Sequence, residues 1–270
     1  MTQTDQPVLE ARGLTKSYGH VQALRGADFS IRPGEIVALI GDNGAGKSTL
    51  VKALSGALQP DGGQILVDGA PVNMSSPIAA RHYGIETVYQ DLALAPELDP
   101  AANLYLGREI TRGGPIGKFF GLLNNKAMRD EAKKSFGTLG SIVQSVDVPV
   151  STLSGGQRQS VAVGRAAAWA DRVVFMDEPT AALGVVQTEK VLQLIRRVAE
   201  KGIAVVLVSH NMPQVLEVSD RVEVLRLGRR VARFTASETN VEQLVAALTG
   251  GFSNEPVAVG AAISGEEQAR

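Results

Sequence analysis

Eight residues, Gly41-Asp42-Asn43-Gly44-Ala45-Gly46-Lys47-Ser48, limit what this chain can fold into more than any other stretch. They follow the pattern G-x-x-x-x-G-K-[ST]. Such glycines let the backbone wrap a chain of phosphates without Cβ clashes, turning several amide N–H groups inward. The surroundings agree. Residues 35–40 are a nearly continuous apolar run, read as a buried strand that ends at Gly41. A helix beginning near Lys47 carries Leu50, Val51 and Leu54 on one face and adds its positive N-terminal end. The pattern predicts that Lys47 reaches the β- and γ-phosphates and that the Ser48 hydroxyl ligates Mg²⁺. Residues 41–49, Thr49 included, are therefore expected to bind a nucleoside triphosphate. A glycine-rich turn that merely happens to carry a lysine is the competing reading, and the strand and helix around it weigh against that.

A second strand points to the same chemistry. Residues 172–178 read Arg-Val-Val-Phe-Met-Asp-Glu, an apolar run closed by two carboxylates. Ligands sit at the C-terminal ends of strands in open α/β sheets. Asp177 is expected to hold Mg²⁺ through its water shell, and Glu178 to orient and polarise an attacking water. Period-2 geometry sends neighbouring side chains opposite ways, which predicts separate tasks for the two. Alone, such a pair often only begins a turn. The phosphate loop in the same chain gives it meaning.

The rest of the chain alternates strand and helix. Strands are expected at 8–14, 27–31, 64–67, 85–89 and 204–208, with a terminal hairpin of 221–227 and 230–234 around Gly228. Helices are expected from Ser154 to about Trp169, over 185–199, and from an Asn240 cap to Leu248. Between residues 92 and 150 the character changes. Pro96, Pro100, Gly113, Gly114 and Pro115 break the chain, and amphipathic stretches at 103–106 and 125–139 predict a mostly helical insert. Past Gly250 a Gly/Ala/Ser/Glu-rich tail has little to bury and is expected to be disordered.

Composition narrows the function. With 27 basic against 28 acidic residues the net charge is −1, which gives no electrostatic footprint for nucleic acid. There are no cysteines, so disulfides and thiolate metal sites are excluded. No apolar run approaches the roughly 20 residues a bilayer span needs, and the polar start lacks a signal-peptide order. A membrane role is expected to come through a partner.

Between the two phosphate-chemistry motifs lies Leu153-Ser154-Gly155-Gly156-Gln157. With it the chain resembles the ATP-binding subunits of ABC transporters over residues 8–248. Physically the motif is a second phosphate grip, a serine hydroxyl and glycine amides at a helix start. A Ser-Gly-Gly loop capping a helix would explain the local sequence equally well. The resemblance implies an α/β fold, a P-loop NTPase core of the ABC ATPase type with an N-terminal antiparallel β subdomain and an inserted helical subdomain. The core would comprise 8–91 and 151–248, and the insert 92–150.

It also implies that Ser154, Gly155, Gly156 and Gln157 face the ATP of a second ATP-binding subunit, closing two chains head-to-tail as a homodimer or with a paralogue. Tyr18 resembles the aromatic that stacks on adenine, with a half-buried strand-end tyrosine as its alternative. Gln90 resembles the glutamine that senses Mg²⁺ and the γ-phosphate. His210 resembles the histidine that contacts the γ-phosphate, although a lone histidine at a strand end is usually structural. One position departs from the pattern. After Glu178-Pro179-Thr180 the chain reads Ala-Ala-Leu-Gly, so Gly184 stands where the family usually has an aspartate that helps communication between the two ATP sites.

Residues 88–94, 103–109, 180–185 and 208–214 resemble monosaccharide importers of the ribose, xylose and fructose group, in their single-domain fructose-type branch. That implies an ATPase at the cytoplasmic face of a bacterial inner membrane. Its partners would be transmembrane permease subunits and, indirectly, a sugar-binding protein. The alternative is a soluble or regulatory ABC ATPase not coupled to transport.

Overall fold

The computed structural model describes residues 6–112, 121–139, 145–181 and 183–251. The expected breakers Gly113, Gly114 and Pro115 and the tail from 252 lie outside the described residues. A four-stranded antiparallel sheet has the order β2-β1-β4-β5, with β1 Leu9–Tyr18, β2 Val21–Ile31, β4 Gly62–Val67 and β5 Ala70–Val72. A six-stranded sheet has the order β10-β9-β3-β8-β7-β6. Here β3 is Ile36–Ile40, β6 Ile85–Val88, β7 Val173–Asp177 and β8 Ala204–Val208, all parallel. β9, Arg221–Arg226, runs parallel to β3, and β10, Arg229–Thr235, returns antiparallel.

The parallel strands are apolar throughout because both faces are covered. All five residues of β3 and of β8 are buried. On one face α1, Lys47–Leu54, wedges Leu50, Val51 and Leu54 between the two sheets, against Leu14, Phe29 and Phe175. The opposite face carries α5, Gly155–Trp169, and α6, Val185–Glu200, whose Val163, Val191 and Ile195 pack with Met176 and Leu207. α7, Met212–Val218, and α8, Val241–Thr249, cover β9 and β10. The sequence reading missed β5, α7 and the six-residue α2, Pro77–His82. All three are too short to show a period, though Ser76 and Asn211 cap the two helices in the ordinary way.

The expected helical region holds α3, Pro100–Tyr105, and α4, Asn125–Thr138. They form a separate apolar cluster in which Leu104, Tyr105, Met128 and Phe136 meet Val161 of α5. Trp169 Nε1–H donates to Leu104 O at 2.8 Å, fastening the far end of α5 to the same region. α5 thus belongs to both layers, and it starts at the Ser154 motif.

Two helical glycines differ in what surrounds them. A Cβ at Gly164 of α5 would lie 2.6 Å from the Phe136 ring, whereas one at Gly137 of α4 would meet nothing within 4 Å. Gly164→Ala is expected to destabilise by about 1–3 kcal/mol through overpacking. Gly137→Ala should stabilise by about 0.5 kcal/mol through helix propensity. Urea titration of the two variants reads both signs.

Candidate active site

The parallel strands release their functional residues at one edge. β3 runs into the phosphate loop, β7 ends at Asp177, β8 leads to His210, and β6 precedes Gln90. Together with Tyr18 and residues 42–49 they line a single cleft of about 410 Å³, as does Glu178. The loop's shape is set by contact with its neighbours. A Cβ at Gly41 would fall 2.5 Å from Leu225 O, and one at Gly46 2.5 Å from Ala23 O. Gly46 also has φ +103 and precedes α1 with no side-chain cap, leaving first-turn amides for a ligand. Lys47 is buried, and its Nζ donates to Gly41 O at 2.6 Å and Asp42 O at 3.2 Å.

The two carboxylates depart from the expected opposite orientation. Glu178 has φ +49, so the chain leaves the pleat directly after Asp177, and both residues line the same cleft. Its N–H still donates to Val208 O at 2.9 Å, extending the ladder one step past the strand. Glu178 Oε1 is buried without a hydrogen-bond partner among the described residues, and His210 Nε2 lies 3.6 Å from it. Tyr18 is 49% exposed at the end of β1, where it lines the cleft. Gln90 sits in the turn after β6, exposed toward the cleft.

Several lining residues carried no sequence signal, among them Val21, Gln22, Ala23 and Val208, which are ordinary strand residues. Arg165 was also missed. From the middle of α5 it donates to Leu92 O at 2.9 Å and Ala93 O at 2.7 Å, clasping a turn two residues beyond Gln90. Leu92 and Ala93 both have positive φ, at 60° and 44°.

Residues Ser154 to Gln157 are not among those lining the cleft. Ser154 Oγ accepts from Gln157 N–H and Gln157 Oε1 accepts from Ser154 N–H, a complete capping box for α5. Gln157 is thereby engaged within its own helix start. The Ser154 hydroxyl keeps its O–H donor free for another acceptor. A Cβ at Gly156 would come within 2.8 Å of the Gln187 side chain in α6. Gly184 is the N-cap of α6 and makes no side-chain cap bond there.

A family model described as ABC transporter matches residues 24–181. The fructose import ATP-binding protein FrcA of Rhizobium meliloti is 52% identical over 246 residues, 91% of this chain and 95% of that protein. The chain belongs to the ABC transporter family. The xylose/arabinose import ATP-binding protein XylG of Sulfolobus acidocaldarius is 46% identical, with 90% of this ABC protein and 94% of XylG covered. The ribose import ATP-binding protein RbsA 1 of Rubrobacter xylanophilus is 43% identical, but this chain spans only 47% of its length. Among solved structures, the ADP conformation of MJ1267, an ATP-binding cassette of an ABC transporter, matches with a TM-score of 0.74 at 26% identity. That match covers 90% of this chain and 95% of MJ1267.

In this ABC protein, burial is the largest influence on the ionisable groups Lys47, Asp177 and Glu178 of the cleft. It lowers the Lys47 pKa, opposed by Glu178, Asp177 and Asp42. It raises Asp177, opposed by Lys47 and His210, and raises Glu178, which His210 counters and Asp177 reinforces. A carboxyl with a raised folded-state pKa holds more protons folded than unfolded between its two pKa values. Stability therefore falls as pH climbs from the ordinary carboxylate range through the raised value. Glu178→Gln removes that group's share. Thermal melts should place the variant above the parent at neutral pH and level with it below about pH 4. A variant less stable than the parent at neutral pH contradicts this electrostatic reading.

Proposed function

We propose that this chain is the ATPase subunit of a sugar importer, working as a head-to-tail pair on partner permease subunits. As an ABC ATPase it hydrolyses ATP. The observation that carries the sugar reading is the 52% identity to a fructose import ATP-binding protein across nearly the full length of both chains. Among the described residues no helix is long and apolar enough to cross a membrane, and in our reading the subunit reaches the membrane through a permease. We place it at the cytoplasmic face of a bacterial inner membrane, with a sugar-binding protein as an indirect partner and no nucleic acid.

In the cleft, the amides of residues 42–49 and the Lys47 ammonium grip the phosphates, and Tyr18 stacks on the adenine. Ser48, Gln90 and Asp177 present oxygens to the same space, a donor set suited to Mg²⁺. When bound, that ion supplies charge neutralisation on the β- and γ-phosphate oxygens. Glu178, which lines the cleft, orients the attacking water and takes its proton on the side-chain carboxylate. His210 contacts the γ-phosphate from beside Glu178. Gln90 reports the phosphate's presence to the turn that Arg165 holds.

Ser154, Gly155, Gly156 and Gln157 stand outside this cleft, so we assign them to the nucleotide of a second copy. The Ser154 O–H and the first amides of α5 would meet the γ-phosphate there. One observation favours a second reading, a regulatory ATPase uncoupled from transport. Gly184 leaves the α6 N-cap without the side chain that family members usually place there. Purification from membranes decides between them. A transport subunit co-purifies with a permease, and hydrolysis rises with the cognate loaded sugar-binding protein, whereas a regulatory ATPase stays soluble.

Glu178→Gln is expected to bind ATP normally and lose roughly 10²–10⁴-fold in turnover, the usual contribution of a positioned base. A single-turnover assay checks this, and near-normal hydrolysis counts against Glu178.

A further inference from the structure

Glu178 occupies a conformation that a non-glycine residue holds only when its surroundings enforce it, with φ at +49. On its N-terminal side the enforcement is plain, since β7 is paired and Glu178 N–H donates to Val208 O at 2.9 Å. On its C-terminal side the backbone offers a turn bond, Ala181 N–H to Glu178 O at 3.1 Å. The neighbouring strand diverges at the same level, passing through Ser209 and His210 into α7. Among the bonds that bridge the two departing segments is one between two side chains. Thr180 Oγ1–H donates to Gln214 Oε1 at 2.7 Å, and both residues are partly buried.

Gln214 is itself held firmly. Its backbone N–H donates to Oδ1 of Asn211, the cap of α7, and Asn211 N–H donates to Ser209 Oγ at 3.1 Å. The chain of bonds therefore runs from the residue before His210, through the cap and first turn of α7, to Thr180, two residues beyond Glu178. Glu178 and His210 face each other across 3.6 Å inside that frame.

We infer that Gln214 is a positioning residue: through Thr180 it fixes the strained turn that aims the Glu178 carboxylate and sets its spacing from His210. The inference rests on Glu178 acting as the base. Gln214 is not among the residues that line the cleft; it restricts where Glu178 can stand.

The test is a kinetic cycle on the full chain with Thr180→Val, Gln214→Met and their combination, each removing one end of the bond at similar volume. A net hydrogen bond corresponds to roughly a threefold to tenfold change in rate. Each single variant is expected to lower kcat by that factor with KM for ATP unchanged, and the double variant to be no worse than either. Thr180→Ser, which keeps the hydroxyl, should restore kcat. In a Glu178→Gln background, Gln214→Met should change the residual rate by less than about twofold, because no base is left to position.

An unchanged kcat in the single variants, a fully multiplicative double variant, or an equal loss in the Glu178→Gln background overturns the inference. Its failure is separable from failure of the base assignment. Glu178→Gln hydrolysing normally sinks the assignment, whereas an inactive Glu178→Gln beside an unaffected Gln214→Met sinks only the role of Gln214.

Discussion

Gly228 N–H donates to Ala45 O at 2.9 Å, and Arg25 N–H donates to Gly228 O at 2.8 Å. Through these two bonds the β9–β10 turn is wedged between the phosphate loop and β2. The contact leaves no room for a side chain at Gly41 or Gly46, since Gly41 abuts Leu225 O and Gly46 abuts Ala23 O. A Cβ at either place would push the loop off its supports and open the amide cradle. Both sheets thus converge on the loop, and the entrance of α1 is fixed by the same approach. The rest of the cleft is arranged around a loop braced by both sheets.

Strain and buried charge gather at that edge. Glu178, Leu92 and Ala93 all have positive φ, and each adjoins the cleft or the turn after Gln90. Such conformations persist only where neighbours over-determine them. For Leu92 and Ala93 the constraint is Arg165, whose guanidinium is held by two consecutive carbonyls. Because Arg165 lies on α5, which Ser154 caps, the helix start and the Gln90 turn are tied by one rigid element. Lys47, Asp177 and Glu178 meanwhile share the burden of a partly dry cleft. Each is shifted toward its neutral form by burial; the carboxylates pull Lys47 back, and Lys47 and His210 pull back both carboxylates.

Legibility in the sequence followed periodicity and chemistry. The buried strands Ile36–Ile40, Val173–Asp177 and Ala204–Val208 were readable because parallel strands covered on both faces are apolar runs. The phosphate loop was readable because close backbone approach requires glycine. What could not be read was geometry set between distant segments. The turn of Glu178 out of the pleat, the clasp of Arg165 and the Thr180–Gln214 bond join residues 30 to 80 positions apart or depend on one dihedral. Ser154 shows the limit from the other side. Its capping box is complete within one chain, so local sequence and local structure agree on a cap. Only its separation from the cleft points to a second use.

The central claim is that this cleft is half of a site, completed by the Ser154 loop of another copy. Sedimentation of the Glu178→Gln chain, with and without saturating ATP, tests it most directly when repeated with Ser154→Arg added. The account predicts monomers without ATP, dimers with it, and monomers again once Ser154 is replaced, although that variant still binds ATP. A Glu178→Gln chain that stays monomeric with ATP, or a dimer indifferent to the Ser154 substitution, would contradict it.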